Sequence, residues 1–379
     1  MNFNFITAVW GPAYTELYLR VVLPNQLTPG NLLAIADRGK PVYRVYTGSA
    51  DAEVIRASAV WKALEALMET EICEVDNILE GHLKPDKYGT MTACHRLGIL
   101  ASLRDTESVL IFPPADVLFS EGTFARLYEL AQAGKRVVML AGVRLLKETV
   151  VPAYLERYAR SDQIGIPIGS RELVALALEH LHPISKAMLW DSPSFITFPS
   201  AFYWLVGNEG IIERAFHLHP VMVHPLVRDA LPVNTIDGDY LTRSCPNFSD
   251  VHVVTTSDEM VVYELSPQTH CDHIPLKDGQ LIPHRANIEE VAKFIGPYSD
   301  SYHRRFARHE IRHVATEPSQ IWDPVSREAE HVIESSFELF ERMSQGGTEQ
   351  PEAGAKRDAA SVLRRVKRRV GRMVGRRSD

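Results

Sequence analysis

Apolar residues along the chain fall into short unbroken runs, separated by stretches of helical period. That alternation predicts strands and helices in turn. Phe5–Val9 reads as a first strand, followed by Trp10-Gly11-Pro12. Tyr14, Leu17, Tyr18, Val21 and Val22 then lie on one face of an amphipathic helix, which Pro24 is expected to end. Pro41–Tyr46 predicts a second strand. A helix presenting Val60, Trp61, Leu64, Leu67 and Met68 follows, with Ser49 or Asp51 as its cap. Glu71–Val75 predicts a third strand, and a helix from about Thr90 to Leu103 leads into the stretch around which the chain is organised, Ser108–Gly122.

In that stretch Val109–Phe112 is wholly apolar, as suits a strand buried on both faces. Pro113 and Pro114 stop it, and Asp116 stands where the carboxyl edge of the sheet is expected. Ser120 is the expected cap of a helix carrying Phe124, Leu127 and Ala131, and Arg136–Leu140 predicts a fifth strand. Five such strands between helices fit a parallel sheet of right-handed βαβ units. Ligands of open α/β sheets bind outside the carboxyl ends of the strands, so Asp116 is a site candidate by position; a turn or capping aspartate is the alternative.

The second half has a mixed α+β pattern. Val150–Arg160 and Arg171–Leu181 predict helices, and the region from Phe195 to Val206 is strand-like. Val251–Thr255 and Met260–Leu265 predict a strand pair around Ser257-Asp258-Glu259. Residues 268–313 are rich in histidine and show weak periodicity. Ala329, Val332, Ile333, Ser336, Phe337 and Phe340 outline a last packed helix. The expected organisation is residues 1–145, then 146–343 completing the same domain, a flexible linker at 344–360 without large apolar groups, and a tail at 361–379.

Charge changes this picture at one end. Residues 1–355 carry 31 basic and 46 acidic side chains, a net charge of −15, whereas residues 356–379 carry ten basic and two acidic. An acidic body argues against nucleic acid as a partner. Four cysteines, Cys73, Cys94, Cys245 and Cys271, are too few and scattered for a disulfide framework, and no run reaches the length of a membrane span. The first residues read as a strand rather than a signal peptide. A cytoplasmic protein with free thiols is expected.

Several familiar chemistries are excluded by motif. No G-x-G-x-x-G follows the first strand and no phosphate-binding G-x-x-x-x-G-K-[ST] occurs, which argues against a dinucleotide dehydrogenase or a P-loop enzyme. No G-x-S-x-G elbow is present. What remains is Asp76, Asp116, Asp237 and Asp239, carboxylates able to bond ribose hydroxyls or hold Mg²⁺ or Mn²⁺ against a diphosphate. Asp237-Gly238-Asp239 faces both acids to one ion if extended, and is an ordinary Asp-Gly turn if not. His217 and His219 share a side in a strand and so could meet one metal or phosphate. Pro220 and the absence of further ligands at zinc spacing favour a structural or substrate-binding role. His270-Cys271-Asp272-His273 reads as a loop cluster.

The strand–turn–helix start, the alternating strands, and the apolar strand running into Pro114-Ala115-Asp116 are together similar to the GT-A fold of nucleotide-sugar glycosyltransferases, a Rossmann-like α/β fold. The resemblance covers roughly residues 1–265. Thr7–Gly11, Pro113–Gly122, Phe216–Pro220 and Asp237–Tyr240 also resemble bacterial proteins associated with surface-polysaccharide synthesis. The resemblance implies transfer of a sugar from a nucleotide-sugar donor to the hydroxyl of a glycan or lipid-linked acceptor. It implies donor contacts from Trp10, Thr47, Asp76 and Asp116, and a catalytic base among Asp237, Asp239 and His219. The family's strand typically ends in Asp-x-Asp holding a divalent metal. Here only Asp116 is kept, so it is the one metal ligand expected if Mg or Mn is used, and metal-independent donor binding is the alternative. The rival readings are a binding or scaffold protein of the same shape without turnover, and a metal-dependent hydrolase using His217, His219 and Asp237.

In the tail, Val362, Val366, Val370 and Val374 recur every four residues, so a helix would gather them into one stripe. Arg364, Arg365, Lys367, Arg368, Arg369 and Arg372 surround that stripe. A basic amphipathic helix that forms on an anionic bilayer is expected, placing the protein peripherally on the inner face of the plasma membrane.

Overall fold

The computed structural model describes residues 1–38, 40–79, 87–105, 107–195, 200–270, 276–277, 280–281, 285–295 and 301–345. The linker and the basic tail expected at 344–360 and 361–379 lie outside these residues, apart from the first two linker positions. By contacts the chain divides into Met1–Leu339 and Phe340–Asp379. Of the latter, the described residues belong to the end of the helix Trp322–Gln345.

In chain order the strands of the three main sheets begin with β1 (Asn2–Ala8), β2 (Val42–Thr47), β3 (Glu69–Glu74), β4 (Ser108–Ile111) and β5 (Val117–Phe119). Then come β6 (Val137–Leu140), β7 (Gly142–Leu146), β8 (Ala201–Val206), β9 (Gly210–Ala215) and β10 (His219–Val223). β11 (Val251–Val253), β12 (Val262–Ser266) and β13 (Ile311–Val314) complete the set. The central sheet has the order β11-β6-β10-β4-β1-β2-β3. β1, β2, β3 and β4 pair in parallel, and β10 runs antiparallel between β4 and β6. The five strands foreseen from the apolar runs are thus all in this sheet and all point one way. The α/β class is as expected: a mostly parallel central sheet flanked by helices.

β1 and β4 are buried along almost their whole length, with Phe3, Phe5, Ile6, Val109, Leu110 and Ile111 in the core and Asn4 and Thr7 buried beside them. Phe5 stacks on Tyr43 of β2 with ring centroids 5.4 Å apart and tilts against Phe124 at 5.3 Å. Most polar atoms that reach this core are paired, as burial demands, while Gln26 Nε2 has no partner among the described residues. The Tyr43 hydroxyl lies 3.0 Å from Thr7 Oγ1, donates to Gln26 Oε1 at 2.8 Å and accepts from the Tyr18 hydroxyl at 3.2 Å. The helix Lys87–Ser102 lies over β1 at Gly98, where a Cβ would come within 2.5 Å of Ile6 Cγ2.

Several local expectations are corrected. Pro24 does not end the first helix. The helix Pro12–Leu17 passes through a π turn at Tyr18–Val22 into the helix Leu23–Gln26, and Leu23 N–H reaches back to the Tyr18 carbonyl. The wider turn makes room for a proline ring that has no N–H to offer. The helix after β2 is two, Ser49–Ala57 and Ala59–Leu67, and Ser58 caps the second by accepting from Trp61 N–H at 3.3 Å. Ser120 is not the cap of the helix Thr123–Gln132; Gly122 holds that position at φ +91°, and Ser120 Oγ instead accepts from Val261 N–H at 3.0 Å. β11 and β12 are not a pair. β11 adds to β6 in the central sheet, and β12 lies between β5 and β7 in a second sheet. Ile288–Ile295, Ser301–Ala307 and β13 occupy part of the histidine-rich region that the sequence left unassigned.

Candidate functional site

At the carboxyl edge of the central sheet the chain leaves β4 and crosses to the second sheet through Phe112–Ala115. Thr7, at the equivalent end of β1, donates to the Pro113 carbonyl at 3.1 Å. Asp116 sits at the end of this crossing, immediately before β5, and its own carbonyl accepts from Leu265 N–H at 2.7 Å. That bond fixes the turn against β12, whose Glu264 stands in register with Arg144 of β7.

Arg144 Nη1 donates to Glu264 Oε1 and, at 2.8 Å, to Ser266 Oγ; the Ser266 hydroxyl also donates to Glu264 Oε1 at 3.1 Å. Burial pushes the Asp116 carboxyl up to about 7; the Glu264 charge adds to the rise, while Arg144 and Lys87 oppose it. The Tyr14 hydroxyl is pushed up by burial and then by Asp116 and Glu264, so the first helix faces the same carboxylates. Burial lowers His270 to about 4, with Arg144 and Lys87 lowering it further. His270 also packs edge-on to His182, centroids 6.4 Å apart. Two carboxylates, a guanidinium, an ammonium and a tyrosine therefore converge at the strand end. Arg144, Glu264, Lys87 and Tyr14 were not singled out by sequence. The available signal was a lone charge inside each of two otherwise apolar strands.

A second cluster lies behind Phe112. His217 Nε2 is 2.7 Å from Asp237 Oδ2, and the Thr235 hydroxyl donates to Asp237 Oδ1. Burial works to raise Asp237, but the His217 and Thr235 bonds outweigh it and hold the carboxyl well below the usual carboxylate range. His219, opening β10, has Nε2 3.4 Å from the Phe112 carbonyl. Burial lowers its pKa, and it feels the charges of both Asp237 and Glu264, so it lies between the two clusters. His95 rests edge-on against Phe112 at 5.2 Å and is driven down to about 3 by burial and then by His219.

The remaining predicted residues are dispersed around this edge. Asp237-Gly238-Asp239 is not extended: the helix Asp239–Ser244 begins there, and the two acids take separate partners. Asp239 Oδ2 pairs with Arg243 at 2.7 Å and its side chain is 39% exposed, against 16% for Asp237. Asp76 accepts from Ser49 N–H at 3.0 and 3.2 Å, capping the helix Ser49–Ala57, where Ser49 or Asp51 was the expected cap. Asp51 instead reaches across to Gly11 N–H at 2.7 Å and to the Thr15 hydroxyl at 2.9 Å. Thr47 closes β2 fully buried, its hydroxyl without a partner among the described residues. Trp10 is half-buried in the loop after β1, beside Gly11 at φ +87°.

Metal chemistry is restricted by this arrangement. Among the described residues no three His, Cys, Asp or Glu side chains converge as a metal site. Arg144 bonds one of the two Glu264 carboxylate oxygens, Oε1. His217 Nε2 pairs with Asp237 and His219 Nε2 lies against the Phe112 carbonyl, so among the described residues the three do not form one metal-ligand set. Of the cluster 270–273 only His270 is described. A groove of about 730 Å³, lined by Leu181, Pro183, Leu189 and Leu205 among others, holds none of the candidate residues.

No family model and no curated protein matches the chain. Among solved structures it is similar to S. aureus TarS residues 1–349, at 9% identity and a TM-score of 0.35 over 92% of this chain and 93% of that one. It is also similar to S. aureus TarS, at 11% identity and a TM-score of 0.26 over 38% of this chain, and to the apo form of mouse xyloside xylosyltransferase 1, at 10% and 0.24 over 41%. The chain spans 22% of that TarS chain and 58% of the xylosyltransferase. These likenesses are distant, and the functional reading rests on the site.

Proposed function

We propose that the protein is a glycosyltransferase that moves a sugar from a nucleotide-sugar donor to an acceptor hydroxyl, in the synthesis of a bacterial surface polysaccharide or glycolipid. The observation that carries this reading is the convergence of Asp116, Glu264, Arg144 and Lys87 at the carboxyl edge of a parallel sheet. An anionic diphosphate needs fixed positive charge, and Arg144 and Lys87 supply it. The donor's base and ribose then fall to the ends of β1, β2 and β3, where Trp10, Thr47 and Asp76 stand. With Arg144 engaged at Glu264, the residues do not form a dedicated Mg or Mn site, and we assign donor binding without a resident metal.

Of the three candidates for the base, Asp237 is the best supported, not as the base itself but as the buried carboxylate that holds His217, a residue outside the three. An imidazole held by a buried carboxylate accepts a proton and is stabilised once charged. Asp239, exposed and paired with Arg243, supports the helix Asp239–Ser244 instead. The acceptor is read as glycan or lipid-linked, with the basic tail docking the enzyme on the inner face of the plasma membrane.

Thermal melting with a panel of nucleoside diphosphates, with and without Mn²⁺, tests the reading. Stabilisation by one of them without Mn²⁺, followed by turnover of its nucleotide-sugar, is the expected result. Stabilisation without turnover would favour a binding protein of the same shape.

A further inference from the structure

The helix Lys87–Ser102 is packed the opposite way to an ordinary surface helix. Its buried side carries Thr92, Cys94, His95, Gly98 and Ser102 with Ile99, whereas Leu97 and Leu100 point outward, 39% and 45% exposed. The segment 226–233 is tied along this helix by arginines. Arg96 Nε donates to the Pro232 carbonyl at 2.6 Å, and Arg228 Nη2 donates to the Leu103 carbonyl at 2.8 Å. That segment adds Leu226, Val227 and Val233, at 43, 44 and 60% exposure. Five large aliphatic side chains on two adjoining elements are thus exposed, with Leu97 and Leu100 three residues apart on one helix face.

The charge around them selects the partner. Between Lys87 and Arg104 there is no acidic residue, in a body that is otherwise strongly acidic. Arg96 and Arg228 spend their hydrogen bonds on main-chain carbonyls, and no carboxylate among the described residues pairs with either or with Arg104. Of the nearby acids, Asp239 is matched by Arg243 and Asp105 accepts from Asn2, which leaves the exposed Asp229 and Glu107 against Lys87, Arg96, Arg104 and Arg228. Leucines and valines beside this excess of basic groups suit the headgroup–acyl boundary of an anionic bilayer: the apolar groups enter it and the guanidinium groups meet lipid phosphate.

We propose that this face of the folded body, formed by Leu97, Leu100 and Val233 with Arg96, Arg104 and Arg228, docks on an anionic membrane independently of the C-terminal tail. The proposal adds a second contact to the membrane placement proposed above, but it stands or falls without the transferase assignment.

The test uses full-length protein and sedimentation with vesicles of phosphatidylglycerol and phosphatidylcholine, against vesicles of phosphatidylcholine alone. L97E/L100E, with the tail intact, should partition at least about tenfold more weakly, because two apolar insertions are lost and two repulsive charges gained. Its melting temperature and its stabilisation by nucleoside diphosphate should match the wild type. V233E, on the other element, should weaken binding in the same direction and decides the matter if L97E/L100E melts early. Wild-type partitioning by these variants overturns the proposal. So does a wild-type dimer in solution that either variant dissociates, since the face would then be covered by a second copy. Vesicle binding that these variants weaken, with no nucleoside diphosphate stabilising the wild type, would count against the transferase reading alone.

Discussion

Arg144 and Glu264 stand opposite one another on two parallel strands of the second sheet, β7 and β12, and form an ion pair although 120 residues separate them. The guanidinium is the main positive charge acting on Asp116. Arg144→Gln keeps much of the side chain's length and removes the charge. Nucleoside diphosphate affinity should fall about tenfold or more, the size of a lost charge-assisted contact of roughly 1.5–3 kcal/mol. Isothermal titration measures it. Affinity within twofold of wild type would mean that Arg144 holds Glu264 and touches no donor.

Asp116 carries a pH signature. Its carboxyl is raised in the folded protein, to about 7 from an ordinary 3.8, so the folded state binds more protons than the unfolded chain between those values. The corresponding stability is greatest at low pH and is lost as pH rises toward 7. Asp116→Asn removes this slope, and at pH 8 the variant should be more stable than wild type by on the order of 2 kcal/mol. The same variant should lose most turnover. Melting curves from pH 5 to pH 8 and an activity assay read the two effects separately, and a variant that is destabilised at pH 8 or fully active would refute the assignment.

Asp237 and Asp239 should respond differently. Asp237→Asn breaks the contact that orients His217, so turnover should drop about a hundredfold or more with donor affinity retained. Asp239→Asn loses an exposed ion pair and should stay within a few-fold of wild type in turnover and within about 1 kcal/mol in stability. The depressed Asp237 carboxyl adds a second readout. It stabilises the fold above the ordinary carboxylate range and ceases to do so as pH falls through its folded value, so the stability gap between wild type and Asp237→Asn should narrow in acid. Equal, small losses of turnover from both variants would return the triplet to a helix-entry turn.

The tail prediction concerns residues 356–379. With ten basic groups, each contributing about 1 kcal/mol near an anionic surface, deletion should cut sedimentation with anionic vesicles by at least an order of magnitude and leave nucleotide binding unchanged. Binding by the full-length protein should also weaken steeply with added salt. Unchanged sedimentation after deletion, or equal binding to neutral and anionic vesicles, would eliminate the tail as an anchor.

The parts whose physics is local are legible in the residues alone. Val109–Ile111 has to be a doubly buried strand, because a run without polar side chains has no solvent face to offer. Pro113 and Pro114 stop it, and Asp116 therefore falls at the strand end. The parallel direction of the first strands followed from the helices between them. Tertiary structure decided what depends on partners far apart in the chain. β10 enters between β4 and β6, bringing His219 under the Phe112 carbonyl, and β12 passes β11 by to join β5 and β7. Those two choices assemble the Asp116–Glu264–Arg144 and Asp237–His217–His219 clusters. A strand's own residues say how it is buried but not which neighbour its main-chain groups will bond, because those bonds are alike for every sequence. The choice of neighbour is made by the shape and charge of side chains that meet only once the chain has closed.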